Sequence, residues 1–257
     1  SQASDLQAVL DDAIKEAQKN SAVVSDLDKK TLPVIQRLKS LLVSPENCRN
    51  VFEDKEFAER MAVVYPAYEV ELSKRNALDF NSLLFKAHQL LTKFPALTKR
   101  YQTVYSYICI DEFQDTNHAQ YELIRILTAN QYRNLFVVAD DDQIIYQWNG
   151  ASHKRIQDFV NGYSPKIIQL PTNYRCPPEV VTLANNLIQY NYLRMAGKKP
   201  LEAFRSSSGQ EVVHLQCFSD FEAEASGTAQ SIKELHPAEL GSVVVLARTR
   251  KLLEGIE

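Results

Sequence analysis

Glycine is scarce in this chain, with seven in 257 residues. No Gly-x-x-x-x-Gly-Lys-Ser/Thr occurs, so these residues hold no loop whose backbone N–H groups would cradle a nucleotide's phosphates. Gly197-Lys198-Lys199-Pro200 does not replace it, because the first glycine and the hydroxyl are missing. The four cysteines (Cys48, Cys109, Cys176, Cys217) are far apart. Their spacing excludes a sequence-local zinc site and points to free, buried thiols in a reducing compartment. No run of about 18 apolar residues is present, which excludes a membrane-spanning helix. No basic–apolar leader opens the chain, so the expected location is cytoplasmic. Basic residues are not in excess: the net charge is −3. Any nucleic-acid site must therefore be a local groove. Internal repeats and low-complexity tracts are also lacking.

The residues present, 45% hydrophobic and 24% charged, make an ordinary globular composition. Helical spacing dominates residues 4–95. Leu6, Val9, Leu10, Ile14 and Ala17 share a stripe, as do Phe57, Met61, Val64, Tyr68 and Leu72, with Pro66 predicting a kink or break. Asp79 is placed to cap a helix carrying Leu83, Leu84, Ala87, Leu90 and Leu91. From Val104 the texture changes to alternating strands and helices. Strands are expected at 104–110, 134–139, 166–170, 211–218 and 242–247. Helices are expected after Thr116, after Ser152, after Pro177-Pro178 and around 222–235, with a loop at 198–210. This alternation predicts an α/β fold with parallel sheets.

Three clusters carry chemistry. The first is Asp111-Glu112-Phe113-Gln114-Asp115-Thr116-Asn117, directly after a strand expected to be covered on both faces. Carboxylates at the C-terminal end of a parallel strand sit where α/β sheets bind ligands. Asp111 could hold a hydrated Mg²⁺ through one carboxylate plus phosphate oxygens. Glu112 could orient and deprotonate a water. A polar turn leading to a helix cap at Thr116 or Asn117 explains the same residues without chemistry. The second cluster is Ala139-Asp140-Asp141-Asp142-Gln143-Ile144-Ile145-Tyr146-Gln147-Trp148-Asn149-Gly150-Ala151. Three acids after a strand can be a solvated turn, and a lone tryptophan can be core. Alternatively, Gln143 can bond a phosphate and a water together, while Tyr146 and Trp148 stack on bases from one extended segment. The third is Asn173-Tyr174-Arg175 before a proline-opened helix, where anions are favoured.

Together these runs resemble motifs II, III and IV of superfamily 1 DNA helicases of the UvrD/Rep type. The resemblance implies parts of two RecA-like parallel-sheet domains plus an N-terminal all-helical subdomain. Residues 1–95 would be the helical subdomain, 96–165 the second half of the first RecA-like domain, and 166–257 the first half of the second. It implies ATP and Mg²⁺ as cofactors, single-stranded DNA as partner and 3′→5′ movement. By the same resemblance Asp111 holds the metal and Glu112 is the base. Gln143 senses the γ-phosphate, Arg175 reaches it from the other lobe, and Tyr174 and Gln114 contact the nucleotide. Tyr146 and Trp148 contact DNA. Weaker matches extend that role to Phe80, in a segment similar to Asp-Phe-Asp-Asp-Leu, and to Arg248, at the end of a strand facing DNA. Three positions depart from the pattern: Ala139 for Gly, Ile144 for Ser and Asn149 for Arg. The last puts coupling of the DNA groove to the nucleotide site in question. The phosphate loop and the motifs beyond IV are missing, so the chain is expected to be a piece of a longer protein, unable to hydrolyse ATP alone. Two other readings stay open: a non-catalytic DNA- or protein-binding relative, and a metal-dependent nuclease using Asp111, Glu112 and Asp115.

Overall fold

The computed structural model describes residues 2–20, 31–129, 134–146, 150, 152–207, 209, 212–235, 238 and 240–256. Two compact units emerge: residues 1–170 with 188–199, and residues 171–187 with 200–257.

The first unit begins with three helices, α1 (Gln2–Asn20), α2 (Thr31–Ser40) and α3 (Lys55–Lys74). The stripes predicted on α1 and α3 meet α2 in one core, where Leu10, Ile35, Met61, Val64, Tyr65 and Tyr68 are all fully buried. α3 runs through Pro66 without the break that was one of the two expected outcomes. Proline removes one i→i−4 hydrogen bond, and the buried side chains on either side of it hold the helix against that loss. α4 (Phe80–Lys93) starts at Asp79, whose carboxylate accepts from Ser82 N–H at 2.6 Å. Its buried residues are Ser82, Phe85 and Leu91, whereas Leu83 and Leu90 of the predicted stripe are exposed.

α5 (Pro95–Val104) then takes up Val104, so the strand expected from that residue starts later, as β1 (Ile108–Ile110). β1 pairs in parallel with β2 (Leu135–Val137), Ile108 opposite Leu135 and Ile110 opposite Val137. The parallel α/β arrangement predicted from the alternation is present. α6 (His118–Thr128) makes the crossover, and α7 (His153–Tyr163) follows β2. Phe113, Tyr121, Ile156 and Phe159 form a second core. Covering of β1 on both faces does not hold: Cys109 is exposed. Cys217 is exposed as well, so only Cys48 is a fully buried thiol.

The second unit contains β3 (Thr172–Asn173), α8 (Pro178–Ile188), β4 (Glu202–Ala203) and α9 (Phe221–Lys233). β3 and β4 pair in parallel, which puts a short strand inside the expected loop at 198–210. Three expected strands are not formed. Residues 166–170 and 243–247, and the described part of 211–218, form no ladder. A strand needs a neighbour to take its N–H and C=O groups, and none lies beside these segments among the described residues. Their apolar side chains are accordingly exposed, Leu170 at 81%, Leu215 at 94% and Leu246 at 84%. On α8 only Val181 is buried.

Candidate active site

The two described strands of the first unit end in the two acidic clusters, and the ladder continues into them. Val138 N–H donates to Ile110 C=O at 2.8 Å, and Phe113 N–H to Val138 C=O at 3.0 Å. Phe113 is the anchor of the first turn. Its ring is fully buried, 5.0 Å from Phe159 and 6.1 Å from Tyr121. With that ring pointing inward, Asp111 and Glu112 are left at the surface. Asn117 ends the turn with a capping box, exchanging bonds with Gln120 of α6. The cap predicted without any chemistry is therefore real, and it holds the acids in place.

Glu112 has φ 49° and ψ 41°, the left-handed region that costs a residue with a Cβ about 1–3 kcal/mol. Its N–H donates to Asp111 Oδ1 at 2.9 Å. Its Oε2 accepts from Gln114 Nε2 at 2.6 Å. Gln114 is 1% exposed, and its Oε1 accepts from Asp140 N–H at 2.9 Å. One buried amide thus joins the first acidic cluster to the second. Gln114, expected to contact nucleotide, has both ends of its amide hydrogen-bonded within the protein. The Asp140 carboxylate accepts from Gln143 Nε2 at 2.5 Å and from Asp142 N–H at 3.1 Å. Glu112 and Gln143, predicted from separate motifs, are the two ends of one hydrogen-bonded chain.

A cleft of about 380 Å³ opens beside the first turn, lined by Asp111, Glu112, Asp115 and Thr116 among others. Asp115 Oδ1 is buried and has no hydrogen-bond partner among the described residues. Burial, with the like charge of Glu112, raises the Asp115 carboxyl above its usual 3.8. Asp111 and Asp115 line the same cleft, and Mg²⁺ takes one or two carboxylates plus phosphate oxygens. The other acids are differently occupied. The carboxylates of Asp140, Asp141 and Asp142 lie within 4.8 Å of one another, and the ammonium of Lys198 bonds all three, at 2.5, 2.6 and 2.8 Å. Arg194 adds a bond to Asp142 at 2.8 Å. In the sequence Lys198 appears only in the run Gly197-Lys198-Lys199-Pro200, because a lysine 56 positions beyond Asp142 carries no local signal.

Tyr146 and Phe80 are exposed, at 43% and 68%. Trp148 and Asn149 lie outside the described residues. In the second unit, Asn173 Oδ1 accepts from Arg175 N–H at 2.9 Å and Cys176 N–H at 2.8 Å. This turn leaves Tyr174 and Arg175 exposed, with the Tyr174 ring 4.7 Å from Phe204. Arg248 is exposed.

The sequence of this site and of its scaffold matches known proteins. The profile of the UvrD/REP helicase N-terminal domain matches residues 1–164, and that of the UvrD-like helicase C-terminal domain residues 168–257. The chain belongs to the UvrD/REP helicase family. Among UvrD/REP relatives, ATP-dependent DNA helicase PcrA of Staphylococcus epidermidis is 38% identical over 181 residues, 70% of this chain and 24% of the relative. A probable DNA helicase II homolog of Mycoplasma capricolum is 37% identical over 231 residues, 86% of this chain and 31% of the relative. PcrA of Staphylococcus aureus is 35% identical over 181 residues. The chain thus spans between about a quarter and a third of the length of these UvrD/REP relatives. No helix among the described residues is long and apolar enough to cross a membrane.

Proposed function

We propose that this chain is part of an ATP-driven DNA translocase that moves 3′→5′ on single-stranded DNA. Residues 1–95 would be its helical subdomain, 96–165 the second half of one RecA-like motor domain and 166–257 the first half of the other. The observation that carries this reading is the hydrogen-bonded chain from Glu112 through Gln114 and Asp140 to Gln143. It ties a base for the attacking water to an amide for the γ-phosphate, so the two respond to the same ligand. Glu112 takes the proton of the water, and Gln143 donates to the phosphate as charge develops there. Asp111 and Asp115 would hold Mg²⁺, which when bound neutralises phosphate charge. Tyr174 would stack on the adenine. Arg175 would add a guanidinium whose donor fork suits a phosphoryl group. Tyr146, Trp148, Phe80 and Arg248 would contact the strand, by stacking and by backbone charge.

The test is steady-state phosphate release by the full-length protein with and without oligo-dT. Glu112→Gln should keep nucleotide binding and lower turnover by about 10²–10⁴-fold. Arg175→Ala should lower it by roughly 10³-fold and spare DNA binding. Normal turnover in either variant would show the roles to be misassigned. The 257-residue chain itself should release no phosphate, because it contains no phosphate loop. Mg²⁺-dependent cleavage of DNA without ATP would favour a nuclease instead.

A further inference from the structure

Lys198 belongs to none of the motifs, yet it sits at the end of the chain of bonds that joins them. Bonds other than the Lys198 ion pairs help to fix its segment. The Gln169 side chain brackets it, donating to Gly197 C=O at 3.0 Å and accepting from Lys199 N–H at 2.8 Å. Met195 packs against the second core, and its N–H donates to Asp141 Oδ2 at 2.5 Å. From this platform the Lys198 ammonium meets Asp140 Oδ1, while Asp140 Oδ2 accepts from Gln143. Three adjacent carboxylates repel one another, and a single ammonium offers three donors. We propose that Lys198 is a positioning residue, which holds the Asp140 carboxylate in the one orientation that aims the Gln143 amide and, through the Asp140 backbone, secures Gln114 and Glu112.

Electrostatics agree with the geometry. Burial opposes ionisation of Asp140, but the bonds from Lys198 and Gln143 outweigh it and hold the carboxyl below 3.8. Burial likewise opposes the Lys198 charge, and the three aspartates override it, keeping the ammonium above its ordinary 10.5. Lys198 lies in the part of the sequence matched by the C-terminal family domain, whereas Asp140 and Gln143 lie in the part matched by the N-terminal one. A residue that follows α8 in sequence therefore sets the geometry of the amide that reads the phosphate.

The consequence for catalysis rests on the ATP-hydrolysis reading above, but the positioning does not. The first measurement is the side-chain amide spectrum of this chain labelled at glutamine. Lys198→Met keeps the length and removes the charge. It should move the Gln143 and Gln114 NH₂ signals toward those of free amides, and Lys198→Arg should restore most of the shift. Should Lys198→Met fail to fold, Asp140→Asn serves instead, because it leaves Lys198 two carboxylates. It should move the Gln143 signal in the same way. The second measurement is kinetic, in the full-length protein. Lys198→Met should lower kcat about tenfold or more with KM for ATP within about twofold, and the Lys198→Met/Asp140→Asn pair should be no worse than the poorer single variant. Unchanged Gln143 signals in a folded Lys198→Met or Asp140→Asn protein overturn the proposal. If the wild type shows no DNA-stimulated phosphate release, the hydrolysis reading fails and the amide signals alone decide the role of Lys198.

Discussion

At the scale of single residues, the acidic turn stores strain where chemistry is expected. Glu112 occupies the left-handed region at φ 49°, which glycine adopts freely and other residues do not. Glu112→Ala and Glu112→Gly both delete the carboxylate and its bond to Gln114. Only the glycine relieves the backbone. Glu112→Gly should therefore be the more stable of the two by about 1 kcal/mol, against the usual order in which alanine is preferred. Thermal or urea denaturation of the pair measures it, and alanine as the more stable variant would show that the backbone there is unstrained. Trp148 is the sole tryptophan, so its emission reports one position. If it faces the strand-binding groove, oligo-dT should change its fluorescence, and Tyr146→Ala should weaken binding by about 1–3 kcal/mol. A blue-shifted emission that ignores oligo-dT at low salt would identify Trp148 as a core residue.

Among the elements, α4 has the most telling start. Lys39 and Asp79 are buried to 0% and 1% exposure and bond at 2.7 Å. Glu69, Ser82 and the Tyr68 hydroxyl complete the site, and the Lys39 ammonium lies 4.7 Å from the Tyr68 ring. Asp79 thus caps the helix and neutralises a buried cation at once, which fixes the turn that carries exposed Phe80. Asp79→Ala leaves Lys39 with a poorer partner set and should cost about 3–5 kcal/mol, more than the ~1 kcal/mol of a simple cap. A loss no larger than that of a cap would mean Glu69 alone satisfies Lys39. The pair also sets a pH dependence. Burial raises the Asp79 carboxyl, but Lys39 and Ser82 outweigh it, so its value in the folded state lies below 3.8. A depressed acid stabilises the fold above its unfolded value and loses that contribution as pH falls through the folded one. The urea midpoint should therefore decline below about pH 4, and by less in Asp79→Asn.

For the whole molecule, order should be uneven. The core of α1–α3 is fully buried at its centre, whereas the second unit leaves Val244, Leu246 and Leu215 at 74%, 84% and 94% exposure. Backbone amides without ladder partners exchange readily. Amide hydrogen exchange should protect residues around 58–72 strongly and residues 243–247 hardly at all; equal protection would show that those segments find partners in solution. On the function proposed above, the net charge of −3 leaves any DNA affinity to local cations, so binding of oligo-dT should weaken as salt rises; binding indifferent to salt would contradict that.

The N-terminal helices, the helix caps at Asp79, Asn117 and Ser152, the parallel α/β character and the family itself were legible in the sequence, because caps, periodicity and contiguous motifs are local signals. Pro66 inside an unbroken helix, the exposure of Cys109 and, among the described residues, the missing ladders at 166–170, 212–218 and 243–247 were not. They depend on which neighbours the chain brings alongside, and an apolar run states a preference for burial without supplying the partner. The same holds at the site. Glu112 and Gln143 could be picked out singly, but their linkage through buried Gln114, and the Lys198 ammonium set among three aspartates, exist only once segments far apart in sequence share one hydrogen-bonded cluster.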